Sequence, residues 1–120
     1  MRIVIDLDGV ICPVKKTGES YADLVPVPSA AATIRAWRAA GHTIIIQTAR
    51  NMATCDGNLG RVLRNVGRIT LGWLEEHGIE YDEIYFGKPN GHVYIDDRAL
   101  RFSSWEEVTA ETLEAAARDR

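Results

Sequence analysis

The chain has 120 residues, of which 46% are hydrophobic and 26% are charged, and its formal net charge is -3. These values are typical of one soluble globular domain, and the acidic balance argues against a broad nucleic-acid-binding surface. No apolar run approaches the roughly 20 residues of a membrane-spanning helix, and the first residues lack the apolar region of a secretory signal. We therefore expect a cytoplasmic protein with no membrane partner, for which nucleic acid is an unfavoured ligand.

The two cysteines also fit a cytosolic protein. Cys12 and Cys55 are too few for a disulfide framework and do not have the spacing of a zinc site. We expect both to be reduced thiols. Cys12 lies close to an acidic stretch, which leaves open a contact between its side chain and a substrate.

The first half of the chain alternates between strand and helix patterns. Residues 2–7 are mostly aliphatic and β-branched, which predicts a short buried strand. Residues 9–27 contain scattered glycine and proline and predict a loop. Pro28 and the alanines after it predict a helix that ends at Gly41. Residues 43–47 are apolar throughout, as in a strand covered on both faces, and predict a second strand.

The second half continues the alternation. Residues 51–60 are polar and without periodicity, which predicts a mobile loop. Apolar residues at helical spacing predict a helix over 66–77, and two further strands are predicted at 83–86 and 92–95. Two residues are candidate caps for a final helix in the alanine-rich tail: Ser103 and Thr109.

This order of strands and helices predicts an α/β fold with a mainly parallel sheet. No repeat, low-complexity tract or linker divides the sequence, so we expect a single domain over residues 1–120.

Polar residues of particular types follow each predicted strand at once. In chain order these residues are Asp6 and Asp8, then Thr48, Ala49 and Arg50, then Lys88, and finally Asp96 and Asp97. Because the carboxyl ends of parallel strands meet at one edge of a sheet, where ligands bind in open α/β folds, we expect these residues to converge there.

Such a convergence has chemical consequences. Four carboxylates within a few ångströms would repel one another by several kcal/mol unless a cation lies between them. Carboxylates without histidine or cysteine suit a hard ion such as Mg²⁺. A cation, the Lys88 ammonium and the Thr48 hydroxyl would together make a phosphate pocket beside Asp6. Asp6 is then the natural nucleophile for phosphoryl transfer, and Asp8 could exchange protons with the leaving group and water.

These residues and their order resemble the four motifs of the haloacid dehalogenase (HAD) superfamily. The resemblance implies a three-layer Rossmann-like fold, with Asp6 as nucleophile and metal ligand. It implies that Asp8 is the acid/base and that its backbone carbonyl binds Mg²⁺. Thr48 and Lys88 would bind the transferring phosphate. Asp96 and Asp97 would supply further metal ligands, Asp96 the more direct. The family usually has threonine after the sequence D-x-D-G, where this chain has valine.

Finer strings resemble small phosphatases of capsule (polysaccharide) biosynthesis. These strings are the stretch from Thr48 to Met52, Gly87-Lys88-Pro89, and the stretch from Tyr94 to Ala99. The segments 9–27 and 51–65 are too short to fold as the cap domain that many superfamily members carry. The resemblance therefore implies a capless, open site for a small phosphorylated substrate such as a phosphosugar, closed by loops or by a neighbouring subunit of a homo-oligomer.

Three other functions share parts of this pattern. A two-component receiver also uses acids, threonine and lysine on a parallel sheet, but in it the acidic pair comes first in the chain, and here it comes last. A phospho-ligand-binding module with little catalysis stays open, as does a nucleotide or nucleic-acid-end phosphatase. Ala49 and Arg50 are candidate phosphate-binding residues. Arg50 could instead pair structurally with an acid.

Overall fold

The computed structural model describes residues 1–117. Its regular elements are three strands, β1 (Arg2–Asp6), β2 (Thr43–Thr48) and β3 (Glu83–Phe86), and four α-helices, α1 (Ala30–Ala39), α2 (Leu59–Val62), α3 (Arg68–Glu76) and α4 (Ala110–Ala116). A π-helical turn, Leu63–Gly67, joins α2 to α3, and single 3-10 turns lie at Tyr21–Asp23 and Trp105–Glu107.

The contacts divide the chain into two compact units, Met1–Asn90 and Gly91–Arg120. The first unit contains a parallel sheet in the order β1-β2-β3. The α/β class and the parallel pairing are therefore confirmed. The three-layer arrangement and the single domain remain predictions.

The two faces of this sheet differ in how they are covered. On one face Ile3, Ile5, Ile44 and Ile46 are all buried. Right-handed crossovers that always advance in one direction place both connecting helices on the same side of a parallel sheet. These isoleucines therefore form the core under the helices, and buried Ile34 of α1 belongs to the same core.

The predicted fourth strand is wrong. Residues 92–95 have no strand structure in the described chain. A strand is defined by its pairing in a sheet, and within residues 1–117 the sheet contains only β1, β2 and β3. Residues 92–95 have the apolar, β-branched composition of a strand, but composition alone does not make a segment pair with a neighbouring strand.

The predicted helix at 66–77 begins seven residues earlier than expected. Asn58 caps α2, and its side chain accepts the backbone N–H of Arg61 at 3.2 Å. Leu59, Val62, Leu63 and Val66 have the apolar spacing of a helix, but the glycines at 57 and 60 made the start of this stretch resemble the preceding loop. Near the C-terminus, Thr109 is the helix cap that the sequence offered, and it forms a capping box with Thr112 at the start of α4.

The loop between β1 and α1 packs onto α3 through one tryptophan. The Trp73 indole N–H donates to the backbone carbonyl of Leu24 at 2.7 Å, and both residues are buried. A second small cluster, Cys55, Val62 and Val66, packs against the partly buried Tyr21. The predicted loops are thereby attached to the helical layer.

No helix within residues 1–117 combines the length and the apolar character required to cross a membrane.

Trp73→Phe tests the attachment of the loop. The substitution removes the donor of the buried Leu24 carbonyl and also part of the ring, so we expect the free energy of unfolding to fall by at least about 1–3 kcal/mol. Urea unfolding measures this loss. Leu71→Ala, which truncates an exposed side chain of the same helix, is the control and should change the free energy much less. Equal effects of the two substitutions would contradict the role of the indole bond.

Candidate active site

The chain turns sharply where β1 ends. The carbonyl of Leu7 accepts the backbone N–H of Ile11 at 2.9 Å. Gly9 has a φ of 88°, a left-handed conformation that a side chain would disfavour. The strand therefore stops after Asp6, and Asp8 lies within the turn at the carboxyl edge of the sheet.

Asp6 faces a lysine that comes from the end of β3. The Lys88 Nζ lies 3.4 Å from Oδ2 of Asp6, and the backbone N–H of Leu7 donates to Oδ1 at 2.9 Å. The backbone N–H of Lys88 donates to the carbonyl of Thr48 at 3.1 Å, which fixes the start of the lysine side chain at the end of β2. The Asp6 side chain is 34% exposed, so one carboxylate remains accessible beside a positive charge.

Thr48 lies at the same edge of the sheet, at the end of β2. It is the last residue of the strand and is fully buried, and its Oγ1 accepts the backbone N–H of Arg50 at 3.1 Å. Ala49 is half-buried, and its carbonyl accepts the N–H of Met52 in the turn that follows. The structure thus brings Asp6, Thr48 and Lys88 together at the ends of three adjacent strands.

Arg50 grips Asp8. The Arg50 side chain is fully buried, and its Nε lies 3.2 Å from Oδ1 and 2.9 Å from Oδ2 of Asp8. Its NH2 group donates to Oδ1 at 3.0 Å. Of the two roles that the sequence left open for Arg50, pairing with an acid therefore describes its contacts in the structure. A multiply bonded guanidinium–carboxylate pair restricts the carboxylate to one orientation.

The Arg50 guanidinium also contacts Thr70 and the ring of Tyr21. Its NH1 group donates to Oγ1 of Thr70, a buried residue of α3, at 3.1 Å. Its carbon lies 4.1 Å from the centre of the Tyr21 ring, a cation–π distance. Sequence analysis missed Thr70 and Tyr21, because neither follows a strand. The signal for Thr70 was a polar residue on the apolar side of a helix.

Cys12 packs against the same pair. Its Sγ lies 3.5 Å from Oδ1 of Asp8 and 3.6 Å from NH2 of Arg50, and the residue is fully buried. Burial, reinforced by the Asp8 charge, raises the pKa of the Cys12 thiol to about 12. Cys12 and Cys55 are both free, as expected.

Asp96 and Asp97 belong to the second unit, and both are exposed. The backbone N–H of Arg98 donates to Oδ1 of Asp96 at 2.8 Å, which makes a local turn. The Arg98 side chain lies 3.9 Å from Asp97.

The residues at the carboxyl edge offer oxygen ligands only. Within residues 1–117, no three side chains of histidine, cysteine, aspartate or glutamate form a group that could hold a metal ion. The exposed Asp6 carboxylate suits a hard cation. The Asp8 carboxylate is occupied by Arg50, so a contribution from Asp8 would have to come from its backbone carbonyl.

Comparison with known proteins places the fold in context. A solved structure of a protein from Vibrio cholerae is 35% identical to this chain, with a TM-score of 0.84, and the match covers 97% of this chain and 96% of the other. This chain therefore belongs to the same family as the Vibrio cholerae protein. No protein-family model matches the chain, and no curated protein does.

A more distant structure shares the fold. The D,D-heptose 1.7-bisphosphate phosphatase from B. bronchiseptica, whose crystal structure contains magnesium and phosphate, has a TM-score of 0.50 and 20% identity to this chain. The match covers 77% of this chain and 52% of the phosphatase. At this identity the comparison establishes a common fold.

Arg50→Met tests the ion pair. The substitution leaves Asp8 with a largely enclosed, uncompensated charge, and we expect the free energy of unfolding to fall by about 3 kcal/mol. Urea unfolding measures the change. Arg38→Met is the matched control, because Arg38 pairs with Glu80 and Asp82 while remaining 42% exposed. It should lose far less stability. Equal losses would contradict a special role for the buried pair.

Alkylation of Cys12 tests its environment. With a pKa near 12 rather than 9.0, the thiolate population at pH 8 falls by about a thousandfold. Iodoacetamide should therefore modify Cys12 at least that much more slowly in the folded protein than in urea. Peptide mass spectrometry distinguishes Cys12 from Cys55. Comparable rates in the folded and unfolded states would overturn this description of the thiol.

Proposed function

We propose that this protein is a Mg²⁺-dependent phosphatase of the HAD superfamily, which hydrolyses a phosphate monoester through an aspartyl-phosphate. The observation that carries the proposal is the placement of the Asp6 carboxylate 3.4 Å from the Lys88 ammonium, at the carboxyl edge of a parallel sheet. A partly exposed carboxylate beside a cation is suited to receive an anionic phosphoryl group.

The reaction has two steps. An oxygen of Asp6 attacks the phosphorus and the ester P–O bond breaks. Asp8 enters this step in its acid form and gives its proton to the departing oxygen. Asp8 then takes a proton from a water molecule, which attacks the phosphorus and releases inorganic phosphate from Asp6. In this proposal Lys88 offsets the charge of the phosphoryl oxygens, and the Thr48 hydroxyl donates to one of them.

Arg50 serves this reaction through Asp8. Its guanidinium is buried and bonded to both Asp8 oxygens, to Thr70 and to the Tyr21 ring. In this proposal Arg50 is a positioning residue, since it fixes the carboxylate that moves the protons, and direct phosphate binding by Arg50 is secondary. Ala49 contributes to the phosphate site through its backbone, in the turn between Thr48 and Arg50.

Mg²⁺, when bound, would neutralise phosphate charge and orient the ester. The Asp6 carboxylate and the Asp8 carbonyl would hold it, with Asp96 and Asp97 as the proposed further ligands. An oxygen-only set of this kind suits magnesium.

A phosphorylated sugar is the proposed substrate class. The fold neighbour from B. bronchiseptica is a heptose bisphosphate phosphatase, which supports this class. The segments beside the site also support a small substrate that reaches Asp6 directly, because neither 9–27 nor 51–65 forms a separate folded unit.

Asp6→Asn tests the nucleophile. The amide cannot form the acyl-phosphate efficiently, so we expect turnover to fall by at least about a thousandfold. Phosphate release is measured from sugar phosphates, nucleotides and an aryl phosphate, with Mg²⁺ or with EDTA. Asp56→Asn is the matched control, because Asp56 is exposed and its φ of 49° suits asparagine equally well.

The outcomes separate the possible functions. Release that requires Mg²⁺ and is lost only in Asp6→Asn supports the phosphatase, and the relative rates on the panel identify the substrate class. Preference for nucleotides would replace the sugar-phosphate proposal. Mg²⁺ binding in calorimetry without turnover of any compound would favour a phospho-ligand-binding module.

A further inference from the structure

In the first unit, the outer edge of β1 has no neighbouring strand, and one face of the sheet is partly exposed. β1 pairs with β2 on one side, and no strand among residues 1–117 pairs with its other side. On the face opposite the connecting helices, Val4 is 53% exposed and Tyr85 is 55% exposed, whereas Ile45, which pairs with Val4, is buried. Parallel sheets are normally covered on both faces, and an open strand edge offers unpaired backbone groups to another chain.

The second unit contains a segment with the character of a buried strand. Val93 is 71% exposed and Ile95 is 96% exposed, although both are β-branched and apolar. Burying such side chains contributes about 1.5–3 kcal/mol each. The segment leads directly into Asp96 and Asp97, the acids that the motif order assigns to the same site as Asp6.

The register of a pairing between this segment and β1 follows from the acids. If Asp96 lies level with Asp6 in a parallel pair, Ile95 lies beside Ile5 and Val93 lies beside Ile3. Side chains alternate along a strand, so both apolar residues would then point to the buried side of the sheet. The same pattern of apolar and acidic residues thus occurs on both partners of the pair.

The connection is too short for this pairing within one copy. Only residues 87–91 separate β3 from 92–95, whereas a connection between parallel strands takes about a dozen residues or more. Six extended steps reach about 20 Å. A parallel strand beside β1 would have to start at the opposite edge of the sheet from the end of β3. The straight-line distance between these two points is also about 20 Å, and that line passes through β2 and β1.

An antiparallel pairing would need less chain, but it would carry Asp96 and Asp97 to the opposite edge from Asp6. The hydrogen bond between Lys88 and Thr48 holds the start of the connection at the carboxyl edge. A second copy of the chain removes the length constraint, because its segment can approach β1 from outside.

We propose that two copies of this chain exchange their C-terminal segments. Residues 93–95 of each copy add a parallel strand beside β1 of the other, and Asp96 and Asp97 complete the site that contains Asp6 of that other copy. The exchange is reciprocal, so it closes as a two-fold dimer with two composite sites. The role given to the two acids rests on the proposed phosphatase function.

Complementation between inactive variants tests the composite site. Asp6→Asn and the double variant Asp96→Asn with Asp97→Asn are each expected to be inactive. In a dimer made of one copy of each, one site has both defects and the other has none. Random pairing after joint refolding gives about half mixed dimers, hence about one quarter of wild-type activity. A mixture that stays as inactive as its parents, while refolded wild type is active, would overturn the exchange.

Two measurements test the pairing without any activity. Sedimentation velocity should show a dimer for the wild type, a monomer for Ile95→Asp, and a dimer for Val25→Asp, whose side chain is 63% exposed in the loop before α1. In an equimolar refolded mixture, Val4→Cys and Tyr94→Cys should form a disulfide-linked dimer upon oxidation, because the register places these positions side by side.

These measurements distinguish the two proposals. A monomeric wild type, a dimer unaffected by Ile95→Asp, or a mixture without the cross-link would overturn the exchange. If the dimer and the cross-link form but the wild type hydrolyses nothing on the panel, the phosphatase proposal fails and the exchanged pairing stands.

Discussion

The buried contact between Arg50 and Asp8 organises the region around the end of β1. A guanidinium removed from water is stable only when its charge and its donors are matched, and here Asp8, Thr70 and the Tyr21 ring do so together. These groups come from the turn after β1, from α3 and from the loop before α1. One side chain at the end of β2 therefore connects the sheet to its covering helix and to its longest loop.

This arrangement separates two carboxylates that are two positions apart. Asp6 remains accessible and faces Lys88, whereas Asp8 is turned inward onto Arg50. The turn at Gly9 makes the division possible, because a strand that continued straight would place both acids on the same face with equal surroundings. Different surroundings allow chemically identical side chains to take different roles, as the proposed reaction requires.

The sequence predicts most of this unit because its signals are local. Apolar runs that end in Asp6 and Thr48 identify two strands and the edge at which their polar residues meet. The partners of Arg50 were not predictable, since Thr70 and Tyr21 reach it through tertiary packing. At residues 92–95 the sequence instead predicted an element that the described structure lacks. The composition of this segment resembles that of a strand, but strand formation depends on pairing, and residues 92–95 form no strand in the described part of the chain.

The π-helical turn at Leu63–Gly67 precedes the helix that carries Thr70. Such a turn accommodates one residue more than a regular α-helical turn while the helix on either side keeps its direction. Loss of a single residue from this stretch would regularise the helix without rotating Thr70 away from Arg50. Family members can therefore differ in length by one residue here and conserve the same geometry at Asp8, so an alignment gap at this position is compatible with an intact site.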